Sequence, residues 1–136
     1  MDTSHPAHLA GKRSREAVAA RDKEAWLAVF SDDAVVADPI GPSFLDPEGN
    51  GHHGKDAIAA FWDKAIAPTD DLEFNFVDTF QCGDEEANVG SIVTTIAGHR
   101  ITTEGVFTYR VNDAGQLIAL RAYWEVERAA ATSRTV

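Results

Sequence analysis

The chain is poor in cysteine. A single one, Cys82, stands among 136 residues, so no disulfide can form within the chain, and a reducing cytoplasmic compartment is the expected setting. Positive charge is scarce as well: 12 Lys and Arg face 22 Asp and Glu, a formal net charge of −10. That balance argues against nucleic acids and anionic membranes as partners, because both need concentrated positive charge. No apolar run approaches the roughly 18 residues of a membrane span, and the opening MDTSHPAHLAGKRSREAV has no hydrophobic core of a secretory signal. Metal motifs are missing too. His52 and His53 are adjacent, so their side chains diverge, and neither their spacing nor their context is that of a metal site. The run GNGHHGKD, residues 49–56, spells most of a phosphate-binding loop, but Asp56 stands where a magnesium-ligating Ser or Thr belongs and would repel phosphate. No metal and no cofactor are expected. Without repeats or linkers, residues 1–136 read as one domain with frayed ends at about 1–5 and 128–136.

What is present is a change of period. The first half reads as helices. Pro6 suits the first turn of one, with Leu9, Ser14, Ala17, Val18 and Arg21 on one side. Asp22 is placed to cap a second, KEAWLAVF, in which Trp26, Leu27 and Phe30 recur at helical spacing. A short strand AVVAD and a loop rich in Gly and Pro follow. The third helix, KDAIAAFWDKAI, has an apolar stripe of Ile58, Phe61, Trp62, Ala65 and Ile66 and stops before Pro68. From Asp71 the period becomes two. DLEFNFVDTFQC puts Phe74, Phe76, Asp78, Phe80 and Cys82 on one face, with Cys82 as a small core residue. ANVGSIVTTIA, ITTEGVFTYRV and QLIALRAYWEVE are further strands, the last two joined by the hairpin signal NDAG.

Helices followed by long antiparallel strands make an α+β domain, with a strongly curved sheet wrapped around three helices and enclosing an apolar pocket. Counting across the last hairpin sets Val111 opposite Gln116, Tyr109 opposite Ile118 and Phe107 opposite Leu120. One face then carries Phe107, Tyr109, Ile118, Leu120, Ala122 and Trp124, a core or a pocket wall. The other carries Glu104, Thr108, Arg110, Arg121, Tyr123 and Glu125, a mixture that suits the interface of a homodimer. With the helices included, the expected lining is Val18, Trp26, Val36, Phe61, Phe107, Leu120 and Ala122.

Within this frame one carboxylate stands out. Alternation places Val36, Asp38 and Ile40 on one face, and Pro39 holds Asp38 away from helical angles. Asp-Pro is also an ordinary turn signal. On a buried face, desolvation would raise the pKa of Asp38 and strengthen it as a base, which suits proton abstraction beside a carbonyl without metal or cofactor. Asp78, interrupting a phenylalanine face, is either an exposed edge residue or a second acid.

The segments WLAVFSDDAVVADPIG, GKDAIAAFW and YRVNDAGQLIALRAYW, in that order within residues 8–126, resemble the ketosteroid isomerase branch of the nuclear transport factor 2-like (SnoaL-like) superfamily. The resemblance implies a cone-shaped fold, an apolar pocket and a dimer. It implies a cofactor-independent isomerase acting on a steroid-like or other apolar ketone, with Asp38 at the position of the general base that moves a proton through an enolate. In that family a Tyr and a protonated Asp stabilise the oxyanion. Here the matching positions hold Ser14 and Phe107. Substitute donors are Tyr109, Trp124, Trp62, Ser14 and His53, and the loop from Ile40 to Gly54 is placed either to cap the pocket or to supply the missing donor. The alternatives are a non-catalytic binding protein for an apolar small molecule and a polyketide-cyclase-like enzyme using the same Asp.

Overall fold

A computed structural model describes all residues, 1–136. Helix α1, Pro6–Ala19, starts where Pro6 fits the first turn and the His5 ring accepts the Ala7 N–H. Asp22 caps helix α2, Lys23–Val29, by accepting the Ala25 N–H at 3.0 Å. Phe30 leaves the helix, and strand β1 already begins there and runs to Ala37. After a long loop, β2 (His52–His53) leads into α3 (Gly54–Phe61), which continues as a π-helical turn over Trp62–Ile66. Four strands follow: β3 (Asp71–Cys82), β4 (Glu85–Ile96), β5 (His99–Val111) and β6 (Leu117–Tyr123). Helix α4 (Val126–Ala130) and β7 (Arg134–Thr135) end the chain.

The strand order is β2-β1-β6-β5-β4-β3, with β7 on β5, and every pairing is antiparallel except β1 with β6. The expected α+β architecture is therefore present: a curved, mostly antiparallel sheet packed on helices. Its core joins α1 and α2 to β1 and β5. Trp26 is 2% exposed and sits edge-on to Phe30 at 4.8 Å and tilted against Trp62 at 5.3 Å. Burying such rings contributes about 1.5–3 kcal/mol each. No helix is long and apolar enough to cross a membrane.

Several expectations need correction. The apolar face of α1 is Ala7, Ala10, Gly11, Ser14, Ala17 and Val18, while Leu9 is exposed. Strand β3 bulges at Val77, so that Phe76 pairs with Gly90 but Asp78 with Val89. An extra residue in one strand inverts the sides of everything after it. Phe80 and Cys82 therefore face out, Cys82 as an exposed free thiol, and Thr79 and Gln81 turn inward. Gly90 permits the bulge, since a Cβ there would lie 2.2 Å from the Asn75 carbonyl oxygen. The NDAG turn forms, with Asn112 Oδ1 accepting the N–H groups of Ala114 and Gln116, but a second bulge at its mouth shifts the register. Tyr109 faces Leu120, not Ile118, and Phe107 faces Ala122.

Both ends make contacts with the sheet. At the start, the Asp2 N–H donates to Gln81 Oε1, and the His5 Nε2 lies 2.9 Å from the Gly83 carbonyl oxygen. At the other end, Ala129 is buried and Thr135 pairs with His99.

Candidate functional site

Between the helices and the inner face of the sheet lies a cavity of about 440 Å³. Of its 27 lining residues 19 are hydrophobic, so it suits an apolar molecule of drug-like size. Ser14, Arg15, Val18 and Trp26 line it from the first two helices, Phe61, Lys64 and Ala65 from the third helical segment, and Phe74, Ile92, Phe107, Tyr109 and Leu120 from the sheet. The loop after β1 supplies Phe44 and Leu45, and α4 supplies Val126, Ala129 and Ala130. Val36 and Ala122, expected in the wall, lie in the packed core, both 0% exposed.

Asp38 borders this cavity. The parallel pairing of β1 with β6 sets Ala37 opposite Arg121, and the Ile40 N–H donates to the Ala122 carbonyl at 3.0 Å. This register brings Asp38 beside Trp124, 86 residues away, whose Nε1–H donates to Asp38 Oδ1 at 2.6 Å. The Asp38–Pro39 bond is cis. Asp38 stays partly accessible because it opens onto the cavity. Burial pushes its carboxyl above the ordinary value of 3.8, and the Trp124 hydrogen bond opposes the rise only in part. An enclosed carboxylate with one hydrogen bond and a free oxygen is a stronger base than a solvated one.

The expected donors separate. The Trp124 indole is occupied by Asp38 itself. Trp62 is buried in the core and is not part of the wall. His53 is exposed, with Nε2 2.7 Å from the Asn50 carbonyl, because it lies on the outer side of β2. Its neighbour His52 packs its ring 5.0 Å from Phe61, behind the wall; burial lowers its pKa, Lys64 and His53 add to this, and Asp46 opposes them. Asp78 is exposed beyond the bulge and binds the Thr79 N–H, so the edge reading of that residue describes its place.

Ser14 and Tyr109 remain. The Ser14 hydroxyl accepts Trp26 Nε1–H at 3.0 Å. The Tyr109 hydroxyl accepts an Arg15 Nη1–H at 3.2 Å. Neither hydroxyl gives its own proton to a protein acceptor. Burial raises the Tyr109 pKa, the Arg15 charge and hydrogen bond oppose this, and Asp38 and Glu86 add to the rise.

Sequence reasoning missed Arg15. The available signal was Gly11, in mid-helix four residues earlier. A Cβ at Gly11 would stand 2.8 Å from the Tyr109 ring, so α1 lies flush on that ring, and the Arg15 side chain reaches it one turn later. A buried cluster beyond the cavity was missed as well. Glu86, 0% exposed, meets His8 Nδ1 at 2.9 Å, Gln81 Nε2 at 2.8 Å and Asn88 Nδ2 at 3.2 Å.

Comparison with known proteins agrees with this fold. The family model for the SnoaL-like domain matches residues 12–129. The structure of RV0760c from Mycobacterium tuberculosis is 37% identical, with all of both chains covered and a TM-score of 0.88; the same protein has been solved in complex with estradiol-17beta-hemisuccinate. The Delta 5-3-ketosteroid isomerase from Mycobacterium sp. is 38% identical over 97% of this chain and 99% of that one, with a TM-score of 0.86. A computationally designed 17-OHP binder is 35% identical over 97% of both, at 0.84. A search of curated proteins finds no match. With the matched domain, the curved sheet and full-length relatives above 30% identity, the chain belongs to the SnoaL-like, nuclear transport factor 2-like family.

Proposed function

We propose that the chain is a cofactor-independent isomerase of apolar ketones, steroid-like in size, in which Asp38 removes a proton beside the carbonyl and returns it elsewhere on the resulting enol. One observation carries the reading: an enclosed carboxylate, its pKa raised by burial, opens onto an apolar cavity with one oxygen held by Trp124. The relatives agree with it, since one is named a ketosteroid isomerase and another was solved with a steroid ester. Val18, Trp26, Phe61, Phe107 and Leu120 hold the ligand by apolar contact. General-base catalysis of this kind contributes on the order of 10²–10⁴ in rate. Polyketide-cyclase-like ring closure would use the same base on a different carbonyl compound.

A second reading, a binding protein without catalysis, draws on Ser14 and Phe107 at the family's oxyanion positions. The test is incubation with a 5-ene-3-ketosteroid, following the absorbance of the conjugated enone. Turnover that Asp38→Asn abolishes supports the isomerase. Binding without turnover, or turnover that survives the substitution, supports the carrier.

The proposed partner on the outer sheet face is a second copy of the chain. Tyr123 is 50% and Val77 82% exposed there, an apolar component that a homodimer would cover. Light scattering of the chain in solution tests it, and a monomer at high concentration would refute it. The free thiol of Cys82 suits the reducing cytoplasm.

A further inference from the structure

Removing a proton beside a ketone leaves negative charge on the ketone oxygen, and catalysis depends on how the wall meets that charge. This inference rests on the isomerase reading above and concerns the other half of the chemistry. We propose that Arg15 and Tyr109 form an oxyanion-binding site in the cavity wall, so that the site takes apolar ketones as enolates and apolar phenols as phenolates.

Arg15 is a cation in an apolar wall. Its guanidinium lies 5.2 Å from the centre of the Phe76 ring and 5.5 Å from that of Tyr109, which fixes it by cation–π attraction. It has no carboxylate partner: the ion pairs of the fold engage Lys12, Lys23, Arg110, Arg128 and His8. In a chain of net charge −10, a half-buried guanidinium left without an acid has its charge available to a ligand. It is screened less than a surface charge would be.

The hydrogen bond gives that charge a direction. Arg15 Nη1–H donates to the Tyr109 oxygen, and the phenol's own proton has no acceptor in the protein. A hydroxyl that accepts from a cation is a stronger donor, because each bond in the chain polarises the next. Tyr109 is the residue that touches the ligand, and Arg15 is a positioning residue that acts through it. Three charged groups act on Tyr109: Arg15 favours negative charge beside it, and Asp38 and Glu86 oppose it. Glu86, its cross-strand neighbour, is engaged by His8, Gln81 and Asn88. Asp38 is neutralised in the step that creates the oxyanion. For a phenol the O–H bond breaks, the proton passes to Asp38, and the electron pair stays on the phenol oxygen under the Tyr109 O–H. The net charge of the site is unchanged.

The test uses 2-naphthol, whose neutral and ionised forms absorb and fluoresce differently. It is bound to the Asp38→Asn chain, so that the titration of Asp38 does not intrude and the proton goes to buffer. The pH at which bound naphthol ionises is compared with that of free naphthol. The expected result is ionisation at lower pH when bound. Arg15→Gln should move the midpoint back up by about one unit or more, roughly tenfold, and Arg15→Lys should retain most of the effect. Tyr109→Phe keeps the ring on which Gly11 and Arg15 pack and serves as the second variant, with a shift in the same direction. Bound naphthol that ionises at or above the free value, a midpoint indifferent to both substitutions, or no binding of naphthol overturns the proposal. Steroid turnover that persists alongside such a result leaves the Asp38 base standing. A full ionisation shift without turnover leaves this site standing and removes the isomerase.

Discussion

Two carboxyl groups are enclosed by this fold, and they are treated in opposite ways. Glu86 is met by His8, Gln81 and Asn88, on a stretch of sheet tied to α1. Asp38 is met by Trp124 alone and faces open space. Burial by itself therefore does not mark a functional acid. What separates the two is unused acceptor capacity: Glu86 has its oxygens engaged and holds structure together, whereas Asp38 has an oxygen left for a ligand's proton. The pKa of Asp38 follows, since desolvation outweighs its single hydrogen bond.

Substitutions sharpen the contrast. Asp38→Asn should reduce turnover of a 5-ene-3-ketosteroid on the order of 10²–10⁴, measured by enone absorbance, while ligand affinity stays within a few-fold, about 1 kcal/mol. Glu86→Ala should do the reverse. It strands His8, Gln81 and Asn88 and should lose about 3–5 kcal/mol of stability in urea unfolding. An equal stability loss at Asp38→Asn would erase the distinction. Trp124→Phe removes the bond that favours the Asp38 carboxylate. A hydrogen bond to a charged group contributes about 1.5–3 kcal/mol, so the acid limb of the pH–rate profile should move up by about one to two units.

The surroundings of Asp38 also predict a pH effect on stability. Because the folded pKa of Asp38 lies above 3.8, between 3.8 and that raised value the native chain keeps a proton that the unfolded chain has lost. Stability from this group then falls as pH rises through the window. The Tm of Asp38→Asn relative to the native chain should therefore climb from acid pH to a plateau above the window. The smallest effect belongs to the residue that alternation offered as a second acid. Asp78→Ala, on an exposed bulge, should change stability by no more than about 0.5 kcal/mol and leave turnover unaltered.

The same comparison shows what the sequence could reveal. The Asp38 position was legible because β1 keeps an even register from Val35 to Ala37, up to the Asp-Pro step, and the Asp-Pro-x-Gly segment resembled a known base. The alternation of β5 correctly put Phe107 and Tyr109 on the inner side. Past Phe76 alternation failed, because a bulge depends on the cross-strand partner and on the room that Gly90 provides, and no period within β3 encodes that. The hairpin register failed at its mouth for the same reason. Arg15 stayed hidden because its side chain reaches sideways across two rings contributed by distant strands. The final residues looked too polar and small to pack, yet α4 buries Ala129 against the cavity and β7 completes the edge of β5.

The most direct measurement is an NMR titration of the Asp38 side-chain carboxyl carbon, with and without a bound apolar ketone. A midpoint above 3.8 that moves when the ketone binds is the predicted result. A midpoint at or below 3.8, indifferent to the ketone, would mean that Asp38 is an ordinary solvated carboxylate and that the cavity has no base.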